Sequence, residues 1–223
     1  MAVVVFVGGG PGDAVTAFAE RPARTTPPLE RQDDGDRLLA GFKAHQAGEA
    51  GAAVALLREP AGTLLDDWRL LILAESAAQT GDVDLATTTL ASLIEGHPRS
   101  PIRAQALLRA AEIAAEYQPW DQVLPHIDRA RDQRLPDEKA VAIETLAWEI
   151  GVEHERPEIQ TAAGRRLLID HPRAAAELQV EAFFRDPRGE LAWGQILTPA
   201  ELERRAARQI EERDSDQALD TLE

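Results

Sequence analysis

Four short breaks divide this chain at near-even steps, and that spacing constrains its fold more than any other feature. They are Gly48-Glu49, Gly81-Asp82, Gln118-Pro119 and Glu155-Arg156-Pro157, at intervals of 33, 37 and 37 residues. Between them apolar residues recur at helical spacing. A period of this size marks stacked helix pairs, each too small to bury its own apolar faces alone. The composition agrees: 44% of residues are apolar, chiefly Ala and Leu, and only 4% are aromatic. Such a mixture favours closely packed helices over a sheet.

The clearest unit runs from Asp67 to Pro98. Leu70, Leu73, Ala74 and Ala77 make one face of a first helix, and Ala86, Leu90 and Leu93 make the facing stripe of a second. Gly81 supplies a turn residue free to adopt a left-handed conformation, and Pro98 ends the unit. The unit resembles a tetratricopeptide repeat, with small residues at Ala74 and Ala86 where two helices approach, although the tryptophan and tyrosine of that pattern are missing. Leu38, Ala40, Gly41 and Ala44 with Ala53, Leu56 and Leu57 form the preceding unit. Leu107, Ala110, Ala111 and Ala114 with Val123, Leu124 and Ile127 form the third. Ile143, Leu146, Ala147 and Ile150 with Ile159, Ala162, Ala163 and Leu167 form the fourth. The expected fold is all-α, a right-handed α-solenoid of antiparallel helix pairs over residues 36–184.

"LIEGHPRSP" (93–101) echoes "LLIDHPRAA" (167–175), each closing a helix on His-Pro-Arg. Their equivalent places make His97 and His171 structural rather than metal-binding in expectation. After Phe184 the pattern is interrupted, and residues 185–223 restart it as a further helical segment. Thr198, Pro199 and Glu201 predict a capped helix start there. That segment reads as cut off in mid-pattern, with Leu219 and Leu222 lacking a covering helix.

Residues 1–19 admit two readings. An apolar run from Ala2 to Val7 and a small-x-small site at Ala17-Phe18-Ala19 fit a shortened export signal without its basic start. "VVVFVGGGPGD" alternatively fits a strand and glycine loop of a nucleotide- or methyl-donor-binding enzyme, which would need alternating strands downstream. Residues 20–35, rich in proline and charge, read as a linker.

The net charge of −15 argues against nucleic acid and anionic membrane partners, because phosphate binding needs a basic patch. Arg204, Arg205 and Arg208 make one small basic cluster. Without cysteine there are no disulfides, thiolate metal sites or Cys nucleophiles. No metal or cofactor motif is present, and the apolar start is too short to span a membrane.

Three stretches carry a family resemblance: "GFKAHQAGEAGAAVALLREP" (41–60), "LLDDWRLLILAESAAQTGDVDLATTTLASLIEGHPRSP" (64–101) and "WGQILTPAELERRAARQIEERDSDQALDTLE" (193–223). In order and spacing, residues 36–223 resemble the N-terminal helical region of soluble lytic murein transglycosylases. The resemblance implies a periplasmic protein with a superhelical ring of helices. In the family a following lysozyme-like domain cleaves the MurNAc–GlcNAc bond of peptidoglycan and leaves an anhydro-sugar end. The family signature Glu-Ser-x-x-Phe/Tyr is matched by Glu75-Ser76 alone, since Gln79 stands at the aromatic position, and Gly-Leu-Met-Gln is absent. The chain is therefore expected to be a non-catalytic scaffold that positions a catalytic domain on the glycan. The alternative is a stand-alone repeat adaptor for a peptide or protein in the periplasm.

Glu75 recurs in register near Glu112 and Glu144, the pattern of a solvated or concave helix face. Trp68, Glu75, Gln79, Glu112 and Glu116 are the candidate concave-face binding residues, with no catalytic residue, cofactor or metal. Trp120 and Trp148, like Trp68, fall within repeats, where packing is the ordinary role.

Overall fold

A computed structural model describes residues 30–60, 62, 64–191, 193–212 and 214–222. The readings made for residues 1–29 lie outside the described residues. The first helix begins at Glu30, so the last residues of the stretch expected as linker are helical.

Thirteen helices and no strand occur among the described residues. The first eight form four consecutive pairs: α1 (Glu30–Gln46) with α2 (Ala50–Leu57), α3 (Asp66–Gln79) with α4 (Val83–Gly96), α5 (Arg103–Tyr117) with α6 (Trp120–Arg131), and α7 (Asp137–Glu153) with α8 (Pro157–Asp170). Each pair packs on the next, and α1 also meets α3 while α5 meets α7. Short helices α9 (Pro172–Glu177), α10 (Val180–Phe184) and α11 (Trp193–Ile196) follow. A last pair, α12 (Pro199–Glu211) and α13 (Ser215–Leu222), docks through α12 onto α8 and α9.

Three of the four turns use the same hydrogen-bond closure. Gly48 and Gly81 sit at φ +76° and +79°. The following residues, Glu49 and Asp82, donate to the carbonyls of Ala44 and Ala77, while the glycines donate to His45 and Ala78. This is the Schellman closure, which needs a left-handed residue at its corner. After α7 the same closure recurs, Arg156 donating to Gly151 and Glu155 to Val152, but the corner residue is Glu155 at φ +52°. The remaining turn is built differently: Gln118 is extended ahead of Pro119, as a residue before proline prefers.

The core follows the expected stripes. Leu90, Leu93, Leu107, Ile113, Ile127, Ile143, Leu167 and Leu168 are buried in one cluster running from α3 to α10. A smaller cluster of Leu38, Ala44, Ala53, Leu57 and Leu73 holds α1, α2 and α3, with Val54 and Leu85 touching both. Burying a leucine stabilises by about 1.5–3 kcal/mol, so the larger cluster dominates. Ala40 and Ala162, expected on packing faces, are exposed.

Three arginines, Arg69 and Arg205 buried and Arg103 half-buried, join neighbouring pairs. Arg69 Nη1 of α3 donates to the Leu57 carbonyl ending α2 at 2.7 Å, Arg103 Nε of α5 to Ile94 of α4 at 3.1 Å, and Arg205 Nη1 of α12 to Leu168 of α8 at 2.7 Å. Carbonyls of a last helical turn have no partner within their helix, and a cation there also complements the helix dipole. Each arginine thus fastens one pair to the end of a preceding helix. His97 and His171 do close α4 and α8 alike, their backbone amides donating to Leu93 and Leu167. Beyond them the echo diverges, because Pro172 opens α9 directly while Pro98 lies in a turn.

Candidate functional site

Two concavities stand on either side of the segment that links α6 to α7. The first is a groove of about 410 Å³ between α3 and α5, bordered by Pro136 and Lys139. Its wall is mostly apolar, from Leu71, Ile72, Pro101 and Ile102. Trp68, 42% exposed, stands at its edge with Glu75 beside it. A tryptophan left this open beside an apolar groove offers a large contact surface with a polar N–H.

Glu75 also has a neighbour behind it, with His45 Nε2 lying 3.4 Å from its carboxylate. Ser76 Oγ donates to the Ile72 carbonyl at 2.8 Å, so His45 Nδ1, 2.9 Å away, must donate to Ser76. Serine, histidine and glutamate are thus in contact, yet Ser76 is fully buried and its proton is engaged. The three residues tie α1 to α3.

The other candidate residues lie outside this groove. Gln79 is exposed at the end of α3. Glu112 pairs with Arg109 along α5 at 3.0 Å. Glu116 is exposed near the end of α5, where a hydrogen bond to its carboxylate holds the Tyr117 hydroxyl above its ordinary pKa. The structure therefore brings Trp68 and Glu75 together at the groove, and not Gln79, Glu112 or Glu116. Glu144 departs further from a solvated face: it is 6% exposed and accepts from Arg131 Nε at 2.9 Å and Nη2 at 2.6 Å. Trp148 is buried edge-on to Phe183, and Trp120 lies under the Arg156 guanidinium at 4.0 Å.

The second concavity, also about 410 Å³, was not legible in the sequence. Arg131 at the end of α6, Arg134 in the segment that follows, Arg166 of α8, and Arg204 and Arg208 of α12 line it. Four carboxylates line it too, Asp132, Asp137, Glu144 and Asp170, leaving a balance of +1 in a chain whose net charge is −15. Most of these charges are spoken for. Glu144 holds Arg131 and, at 3.5 Å, Arg166, while Asp170 holds Arg204 at 2.5 Å and Asp137 lies 3.8 Å from Arg208. Arg134 makes no hydrogen bond or ion pair among the described residues. The His171 ring lines the cleft, is only 9% exposed, and likewise has no partner. Burial pushes its pKa below the usual value of 6.5 against the pull of Asp170 and Asp137, so it is neutral near pH 7. Leu135, Ala140 and Ile143 give the cleft one apolar side.

The basic cluster seen in the sequence is divided by helical geometry. Arg204 and Arg208, four apart, share the face of α12 toward the cleft. Arg205 turns inward to Leu168 and Glu181 and lies under Trp193 at 4.6 Å. The only signal for the cleft would have been arginines at the helix ends on either side of the second His-Pro-Arg.

Among the described residues no group of three or more His, Cys, Asp or Glu could hold a metal ion, and no helix is long and apolar enough to cross a membrane. No protein-family model, curated protein or solved structure matches this chain.

Proposed function

We propose that this chain is a non-catalytic helical binding scaffold, its pairs wound as a right-handed tetratricopeptide-like solenoid, that works in the periplasm. The observation that carries the reading is Trp68 standing half open over an apolar groove, with Glu75 and Lys139 as its charged margins. Such a site suits an extended peptide or protein segment, whose apolar side chains enter the groove while its polar backbone meets the margins. A hydroxyl-rich glycan strand would leave Leu71, Ile72 and Ile102 poorly used.

The second reading follows from the order of segments at 41–60, 64–101 and 193–223. In it the scaffold sits beside a peptidoglycan-cleaving domain and holds that domain on the cell wall. A common experiment separates the two. Co-sedimentation with isolated sacculi and anisotropy titration against a library of unstructured apolar peptides are run on the wild type and on Trp68→Ala. Peptide binding weakened about tenfold or more by Trp68→Ala supports the adaptor, that loss corresponding to about 1.4 kcal/mol. Sacculus binding alone supports the transglycosylase scaffold. Binding to neither, or binding indifferent to Trp68, would remove both.

A further inference from the structure

We propose that the arginine-lined cleft between α6, α7, α8 and α12 is a binding site for a carboxylate that bears a short aliphatic arm. Two donors line it without partners. Arg134, exposed at the rim, carries a guanidinium with no partner among the described residues, and His171, nine-tenths buried, lines the cleft with a ring that likewise has none. Neither group has a partner within the described chain, and a bound ligand can supply one in place of solvent. A carboxylate does so, accepting from the neutral ring's N–H and from the planar fork of a guanidinium.

Charge decides between anions. Five arginines against four carboxylates leave +1, which one carboxylate neutralises. A phosphate dianion would leave the cleft at −1 inside a chain already at −15. The buried Glu144, held by two arginines, fixes Arg131 and Arg166 in place, so the site is organised before a ligand arrives. Leu135, Ala140 and Ile143 give the aliphatic arm an apolar wall. A free small acid and the C-terminus of a peptide both have this chemistry.

The test is titration of ¹⁵N-histidine-labelled protein with butanoate, butanamide, inorganic phosphate and an acetylated peptide ending in Ala-Ala, followed at the His171 imidazole. Butanoate is expected to shift that signal saturably, while butanamide and phosphate leave it in place. Arg134→Gln is expected to weaken butanoate at least about tenfold without moving the thermal midpoint, because Arg134 has no structural partner. If the peptide binds more tightly than butanoate, the natural ligand is a chain terminus; if more weakly, it is a free acid, and either result supports the site. Equal shifts from butanamide, stronger binding of phosphate, or no saturable shift with butanoate would overturn the proposal. None of these readouts involves Trp68, so failure here leaves the scaffold reading standing, and the reverse holds too.

Discussion

Gly151 of α7 lies against the backbone of Gln160 in α8, so close that a methyl group on Gly151 would stand 2.6 Å from the Gln160 nitrogen. The obstacle is backbone and cannot rotate away. Gly151→Ala is therefore expected to part the two helices and cost about 1–3 kcal/mol, read as a lower urea midpoint. Gly51, exposed within α2 with open space around it, is the control. There Gly51→Ala should stabilise by about 0.5–1 kcal/mol through backbone entropy alone.

Glu155 occupies the corner that glycine occupies at 48 and 81. Its left-handed backbone carries a Cβ penalty of about 1–2 kcal/mol. Glu155→Gly is expected to raise stability by about 1 kcal/mol in the same denaturation assay, with Gly81→Ala moving in the opposite direction.

Arg69 tests the arginine links between pairs. It is buried, donates to Leu57, and pairs with Asp66 at 2.6 Å. Arg69→Met removes that bond and leaves the Leu57 carbonyl and the Asp66 carboxylate short of a partner. The expected cost is about 2–3 kcal/mol, with hydrogen exchange in α1 and α2 accelerated more than in α7 and α8.

Acid should weaken the fold through His171, His126 and Glu201. His171 has a folded pKa below 6.5, so the unfolded chain takes up a proton that the folded chain refuses. Stability from this group is complete above 6.5 and falls as the pH drops toward the folded value. Glu201 is held below 4.5 chiefly by hydrogen bonds from the backbone and side chain of Thr198. Its contribution is present above 4.5 and is lost as the pH falls through the lower folded value. Urea midpoints measured across this range should decline in both windows. His171→Gln should shrink the upper decline, the remainder coming from His126, which burial also holds below 6.5, and Thr198→Ala should shrink the lower one.

Much of the helix layout was open to reading because apolar spacing and turn chemistry speak locally. Gly48 and Gly81 mark turns by the conformation they permit, and Thr198 with Glu201 forms the expected capping box, Glu201 accepting from the Thr198 amide at 2.8 Å. The sites were harder. Helical spacing fixes which apolar faces turn inward but not which polar side chains meet across pairs. Arg131 and Arg208 come together at one cleft only because α12 folds back on α8. Glu144, in register with Glu75, became a buried anchor because Arg131 and Arg166 converge on it. Repeat position alone therefore grouped Glu112 and Glu116 with Trp68, although the groove takes in only Trp68 and Glu75.

The most direct test of the scaffold account places the photo-reactive residue benzoylphenylalanine at position 68 and, separately, at Val152, which is as exposed but far along the stack in α7. Each protein is irradiated with the peptide or sacculus preparation that binds the wild type. Adducts formed from position 68 and not from position 152 are the predicted result. Equal yields from both positions, or none from position 68, would contradict the claim that the groove at Trp68 is where this scaffold holds its partner.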